Sequence, residues 1–356
     1  MNNRCRRQTV PAILSIVGLF PWLVACGPAE APAPEVDPYA FAVPAHFPEP
    51  TYTLENNPVT EAGFNLGKAL FFDANLSRDG SVSCNNCHQQ AIAFADNPAH
   101  PTSVGVDNRL GSRNAPALNN LAFFPEFFWD GGVNHLDFVP INAIESPVEM
   151  DATLVEVVEY LSNSERYRTL FQEAFGITEI TSPYMLYALS QFTVMMISAK
   201  SPYDEYVLGN TEALTPQEAR GAVLFEENCS SCHAGVLQTD FSYRNNGLDD
   251  EFPDAGRANI TEHPDDVGKF RVPSLRNVAL TAPYMHNARF SSLEEVLDHY
   301  TRGMVYSATL DEAFINTRGQ VKPMALSIEE REDIIAFLHT LTDRAFISNP
   351  IFRNND

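Results

Sequence analysis

Two pentapeptides carry the chemistry of this chain: Cys84-Asn-Asn-Cys87-His88 and Cys229-Ser-Ser-Cys232-His233. In each, two thiols stand on one turn of chain, where they can reach the two vinyl groups of one porphyrin. The histidine that follows can reach its iron. C-x-x-C-H is the attachment pattern of c-type haem. Two copies imply two covalent c-type haems, with His88 and His233 as iron ligands, and therefore redox chemistry. The other two of the six cysteines, Cys5 and Cys26, lie at the N-terminus, so no pair is left for a disulfide. A zinc site built from two C-x-x-C pairs is the rival reading. Such pairs usually lie ~15–20 residues apart, whereas these are 145 apart, from 84 to 229. The motifs alone leave open whether the protein only carries electrons or also does chemistry with them.

The elements that must hold these motifs are helices joined by long loops. Thr153-Leu-Val-Glu156 is a capping box ahead of an amphipathic run to Ser162. Thr215-Pro216-Gln217-Glu218 adds proline at the first helical position and predicts a helix leading straight into Cys229. Ser292-Leu-Glu-Glu295 opens a helix to about Arg302, and Ser327-Ile-Glu-Glu330 opens the last one, to about Leu341. No strand-rich segment of length is present. The pattern predicts a mainly α fold of two cytochrome c-like haem domains with long loops, in which each haem is much of its domain's core.

Residues 1–25 read as an export signal. Arg4, Arg6 and Arg7 precede a mostly apolar stretch from Pro11 to Val24, too short to span a membrane comfortably. Leu23-Val24-Ala25-Cys26 resembles a lipobox with Cys26 as the acylated residue, an ordinary secretory signal being the alternative. Either places the chain in the periplasm, where c-type haem is attached. Gly27 follows Cys26, so the aspartate associated with inner-membrane retention is missing, which favours an outer-membrane anchor. Residues 26–45 are rich in Pro and Ala and read as a flexible tether. A boundary near Ser201-Pro202, after an apolar helical run from Tyr184 to Ala199, gives haem domains at 46–201 and 202–346 and a tail at 347–356. Losing the signal's three arginines takes the formal charge from −23 to −26. Such acidity excludes nucleic acid and steers a basic partner, such as a small electron-donor protein.

Further segments appear in a fixed order. They are Leu66-Gly-Lys-Ala-Leu-Phe-Phe-Asp73, Leu76-Ser-Arg-Asp-Gly80, Arg113-Asn-Ala-Pro116, Phe128-Trp-Asp-Gly131 and Ser146-Pro-Val-Glu-Met150. Phe270-Arg-Val-Pro-Ser-Leu-Arg-Asn277, Thr281-Ala-Pro-Tyr-Met-His286 and Ile335-Ala-Phe-Leu338 follow. Over roughly residues 48–346 the chain resembles the bacterial dihaem cytochrome c peroxidase family, which includes the tryptophan-oxidising relative MauG. The resemblance implies a peroxidatic N-terminal haem on His88 and an electron-transfer haem on His233. It implies that Glu149 shuttles protons during peroxide cleavage, since a desolvated glutamate with a raised pKa can take one proton and return it. It places Trp129 between the haems as an electron relay. It makes Asn114, Thr281 and Pro283 ligands of one calcium ion between the domains, and it implies a possible homodimer.

Three positions depart from that pattern. Val106 stands where many members carry a histidine that ligates the first iron in the resting state, which predicts an open first haem; His100 is the alternative ligand. Tyr300 stands where many members carry the methionine of the second haem, and it shares a helical stripe with Leu293, Val296 and Leu297. His299, Met304 and Met285 are the other candidates. A tyrosinate or histidine stabilises ferric iron relative to a thioether, so either lowers the potential of this haem. Val139 replaces a distal-pocket glutamine. The leading expectation is reduction of hydrogen peroxide with electrons from a cytochrome c or cupredoxin. The alternatives are a MauG-like oxidase acting on a protein and a pure electron carrier. Arg276 is expected to pair with a haem propionate. His46, His135, His263 and His339 read as loop or surface residues, and His286 as a residue near the second haem.

Overall fold

The computed structural model describes residues 37–96, 100 and 102–354. The expected signal, the Cys26 lipidation site and most of the tether lie outside the described residues. The first half builds α1 (Glu61–Phe72), α2 (Cys84–Cys87), α3 (Val139–Glu145), α4 (Leu154–Asn163), α5 (Glu165–Phe175) and α6 (Ser182–Val194). The second half builds α7 (Pro202–Val207), α8 (Pro216–Asn228), α9 (Ala258–Thr261), α10 (Leu293–Asp298), α11 (Ile328–Thr340) and α12 (Arg344–Ser348). Between α8 and α10, β1 (Tyr243–Arg244) pairs antiparallel with β2 (Phe270–Arg271), Tyr243 opposite Arg271.

The helix starts follow the capping chemistry. The Thr153 hydroxyl accepts the Glu156 N–H at 3.2 Å while the Glu156 carboxylate takes the Thr153 N–H at 2.8 Å. The same reciprocal box opens α8 at Thr215 and α11 at Ser327. The helix from Ser292 keeps α geometry only to Asp298. His299–Gly303 then widens into a π turn.

Each half is organised around one close helix pair. In the first, a Cβ at Gly67 of α1 would lie 1.9 Å from the Ala188 carbonyl oxygen of α6. In the second, a Cβ at Gly221 of α8 would lie 1.9 Å from the Asp333 carbonyl oxygen of α11. Glycine at each crossing lets the backbones touch. Around the first crossing Phe64, Phe71 and Phe192 pack ring to ring, with Phe64–Phe192 centroids 5.2 Å apart. Each such buried ring contributes roughly 1.5–3 kcal/mol. Phe225 and Phe337 do the same at the second crossing, 5.0 Å apart.

The ends of the chain do not match the expected tether and tail. The Tyr39 ring lies 5.2 Å from Phe64, and Phe41 packs with the cluster of Phe47 and Phe123, so folded structure begins before His46. Phe352 is 2 % exposed and packs on Phe94 and Phe192 of the first half. The residues expected as a tail therefore close the first core. Asp343 fixes their route: its carboxylate accepts the N–H groups of Ala199 and Lys200 at 2.9 and 2.8 Å and caps α12. From Pro38 onward the chain is one compact unit, because the last segment returns across the boundary expected near Ser201.

Candidate active site

α2 is a single turn, and Ser83 opens it by donating its N–H and hydroxyl to the Asn86 side chain at 3.0 and 2.8 Å. The turn carries Cys84 and Cys87 and ends on His88, whose N–H reaches the Cys84 carbonyl at 3.0 Å. Ala93 and Phe94 adopt φ of +59° and +58°, and the Phe94 carbonyl comes 2.9 Å from His88 Nδ1. Nδ1–H donates there, which leaves the Nε2 lone pair free for a metal. Burial pushes the His88 pKa down to about 4, against the opposing effect of that bond, so the ring is neutral. The second motif repeats the device. α8 ends at Cys229, and His233 Nδ1 lies 3.1 Å from the Gln238 carbonyl, with Gln238 at φ +55°. Burial lowers the His233 pKa as well.

Each motif lines its own cavity. Cys84, Cys87 and His88 face one of about 1180 Å³, and Cys229, Cys232 and His233 face one of about 700 Å³. Small-ligand pockets occupy ~300–1,000 Å³, so both are large enough for a macrocycle. The cysteine pairs stand in separate cavities and do not form a shared four-sulfur site.

The first cavity also contains Glu149, half-buried. Among the described residues nothing hydrogen-bonds its carboxylate, and burial raises its pKa above the ordinary glutamate value. Its backbone is held at both ends: the Glu149 N–H donates to Ser146 O at 3.1 Å, and its carbonyl accepts the Val106 N–H at 2.8 Å. Val106 itself is fully buried in the apolar core and does not line the cavity. Ser103 and Val104 of the same loop line it instead. The shift reflects local register, since Gly105 and Val106 pack against the 148–149 backbone. None of these residues carries a nitrogen or sulfur ligand. His100 points elsewhere, 3.4 Å from Asp96 and 40 % exposed. Val139 lines the cavity.

The second cavity contains Tyr300, whose oxygen accepts a hydrogen bond from Asn246 Nδ2 at 3.3 Å. Burial pushes its pKa up to about 12. His299 is turned away: its Nε2 lies 3.0 Å from the Asn246 carbonyl. Met304 packs with Leu310 and Phe314 and does not line the cavity. Met285 and Met324 do line the cavity. Asn246, which touches both Tyr300 and His299, carried no motif signal in the sequence.

Trp129 lines both cavities, and its indole N–H donates to the Asn114 carbonyl at 2.8 Å. The Asn114 side chain meets the Pro283 carbonyl oxygen, and Thr281 lies two residues before it, beside the cis Ala282–Pro283 bond. Neutral amide and carbonyl oxygens suit a hard cation such as calcium. His286 stacks on Phe270 with centroids 3.6 Å apart.

The expected partner of Arg276 is corrected. Its guanidinium is fully buried and bidentate on Asp204, at 2.9 and 2.6 Å, and Nε donates to Val236 O at 2.7 Å. His46 joins the same carboxylate at 2.7 Å and is therefore no surface residue. The cation of this segment that remains available is Arg271, which lines both cavities and whose buried Nη1 has no partner among the described residues. A buried donor without an acceptor beside two histidine-floored cavities fits a porphyrin bearing carboxylates.

Comparison with known proteins agrees with this geometry. Residues 61–212 match the family model for di-haem cytochrome c peroxidase, and residues 218–342 match that for cytochrome c. The methylamine utilization protein MauG of Methylorubrum extorquens is 35% identical over 350 residues, covering 93% of this chain and 96% of MauG. The cytochrome c551 peroxidase of Pseudomonas aeruginosa is 33% identical over 308 residues, covering 83% of each chain. A crystal structure of a MauG-like protein associated with microbial copper homeostasis superposes with a TM-score of 0.79. It is 33% identical and covers 88% of this chain and 98% of its own.

Proposed function

This chain belongs to the di-haem cytochrome c peroxidase family, and on that premise we propose that it reduces hydrogen peroxide to water in the periplasm. Membership implies two c-type haems, which would supply the redox chemistry for peroxide reduction and for electron relay. Cys84, Cys87 and His88 would hold the first, and Cys229, Cys232, His233 and Tyr300 the second. Two electrons and two protons turn one peroxide into two waters. A small redox protein, a cytochrome c or cupredoxin, supplies the electrons.

The observation that carries this reading is Glu149. It is a half-buried carboxylate in the same cavity as His88, with no hydrogen-bond partner among the described residues. Heterolysis needs one proton moved from the near oxygen of peroxide to the leaving oxygen, and a carboxylate of raised pKa does both halves. Ser103 and Val104, which line this cavity, carry no nitrogen or sulfur ligand, which supports a first haem open to substrate. Trp129 lies along both cavities and would carry electrons between them. The Asn114 side chain and the carbonyls of Thr281 and Pro283 would hold calcium between the halves.

A second reading, a MauG-like oxidase drawing electrons from a protein substrate, is favoured by one observation. Tyr300 lines the second cavity and His299 does not. A tyrosinate would keep that haem at low potential, which suits storage of oxidising equivalents better than acceptance from a donor. One experiment separates the two. Peroxide is added to the oxidised protein while the Soret and near-infrared bands are followed, and reduced cytochrome c is then supplied. Rapid donor oxidation is expected of the peroxidase. A long-lived oxidised species with no donor turnover identifies the protein oxidase. No response to peroxide refutes both.

Among the described residues no helix is long and apolar enough to cross a membrane. We place the protein on the periplasmic face of the outer membrane through a lipid on Cys26, and as a dimer, on the sequence signals and family resemblance alone.

A further inference from the structure

Six lysines and arginines line the two cavities, and four of them are already neutralised. Arg113 is held by Asp130 and Asp254 at 2.5 and 2.6 Å. Arg244 is held by Asp240 and Asp311 at 2.9 and 3.0 Å. Arg289 pairs with Asp249 at 2.5 Å, and Arg276 is bidentate on Asp204. Lys322 is exposed to solvent, and Arg271 differs from all of these. It is 5 % exposed, yet among the described residues no carboxylate lies within ion-pair distance. Its backbone N–H donates to Trp129 O at 2.7 Å, its Nε donates to Phe128 O at 3.1 Å, and its guanidinium lies 5.0 Å from the Phe124 ring. These contacts fix the head group and leave Nη1 without an acceptor. The nearby carboxylate, Glu126, is committed to the Tyr243 hydroxyl at 2.6 Å and to Arg257 at 3.3 Å.

A buried charge without a counter-charge is costly, so this position is built for an anion that arrives from outside the protein's own side chains. The same side chain lines both cavities. We propose that Arg271 is a shared anchor for the carboxylate side chains of both haems, and that its charge sets the reduction potentials of the two together. The inference rests on the two-haem reading. Its sign follows from electrostatics. Reduction adds negative charge to a haem, a buried cation stabilises that state, and the low dielectric makes the effect strong. Loss of the cation lowers both potentials.

The test is spectroelectrochemical titration of the purified two-haem protein and of R271Q. The reduction equilibrium of each haem is expected to fall at least tenfold in R271Q, which is 59 mV for a one-electron couple. R271K keeps the charge without the fork and is expected to recover at least half of each shift. A potential that does not move for either haem overturns the shared anchor, as does a shift confined to one of them. Should R271Q fail to mature, R271H makes the charge titratable. Both potentials are then expected to fall with rising pH more steeply than in the parent, and slopes parallel to the parent overturn the proposal. A parent chain carrying fewer than two haems overturns the underlying reading and the anchor with it, whereas two haems with unmoved potentials overturn the anchor alone.

Discussion

Replacing Glu149 by glutamine should remove the proposed proton shuttle and little else. The amide keeps the shape of the side chain. Among the described residues the carboxylate has no hydrogen-bond partner to lose, and the backbone bonds to Ser146 and from Val106 are unaffected. Positioned general acid–base catalysis contributes ~10²–10⁴-fold. The rate of the peroxide reaction should therefore fall by about two to four decades, or roughly 2.7–5.4 kcal/mol of transition-state stabilisation at ~1.36 kcal/mol per decade. The first proton transfer needs the carboxylate ionised. In the parent the rate thus rises with pH through the Glu149 pKa, which burial raises above the ordinary value. That limb should vanish in E149Q. Stability moves the other way. A raised folded-state pKa gives a contribution that is full below the unfolded value, ~4.3, and is lost as the pH rises through the folded value. Glutamine carries no such loss, so E149Q should be at least as stable as the parent at pH 7. The assay is stopped-flow mixing of the oxidised protein with peroxide across the pH range, with thermal unfolding in parallel. A rate within threefold of the parent, or one that keeps the pH limb, would refute the shuttle. A large loss of stability would show that Glu149 is structural.

Other outcomes follow from the same geometry. Trp129→Phe leaves the Asn114 carbonyl without its 2.8 Å donor and should cost ~0.5–1.5 kcal/mol of stability. It should slow reduction of the first haem by the second without changing the initial peroxide step, as separated by single-turnover kinetics. Tyr300→Met should raise the potential of the second haem and introduce a methionine–iron absorption band; an unchanged potential would remove Tyr300 as the ligand. Gly221→Ala would gain about 1 kcal/mol in an exposed helix. Here the new Cβ would lie 1.9 Å from the Asp333 carbonyl, so a net loss of ~1–3 kcal/mol in chemical denaturation is expected.

What the sequence conveyed and what it hid divide along a physical line. Spacing and capping are local, so the C-x-x-C-H pairs and the helix starts at Thr153, Thr215 and Ser327 could be read directly. Ordered motifs identified the family. Destinations of single side chains are set by tertiary packing and were not legible. Phe270-Arg-Val-Pro-Ser-Leu-Arg276 holds two arginines, and only the presence of the distant Asp204 decides which one is already neutralised. Val106 and Val104 differ by which of them meets the apolar core, which depends on the distant 148–149 backbone. The C-terminal residues looked like a tail because Phe352 has no periodic neighbours. Its partners Phe64, Phe94 and Phe192 are remote in sequence. The π turn after Asp298 likewise carries no compositional mark.

The two haem sites are proposed to be unequal, the first open above His88 and the second closed by Tyr300. Low-temperature EPR of the fully oxidised protein, together with a haem count per chain, tests it most directly. Two haems are expected, one high-spin and one low-spin, the latter without a histidine–methionine signature. Two low-spin haems, each with two strong axial ligands, would contradict it.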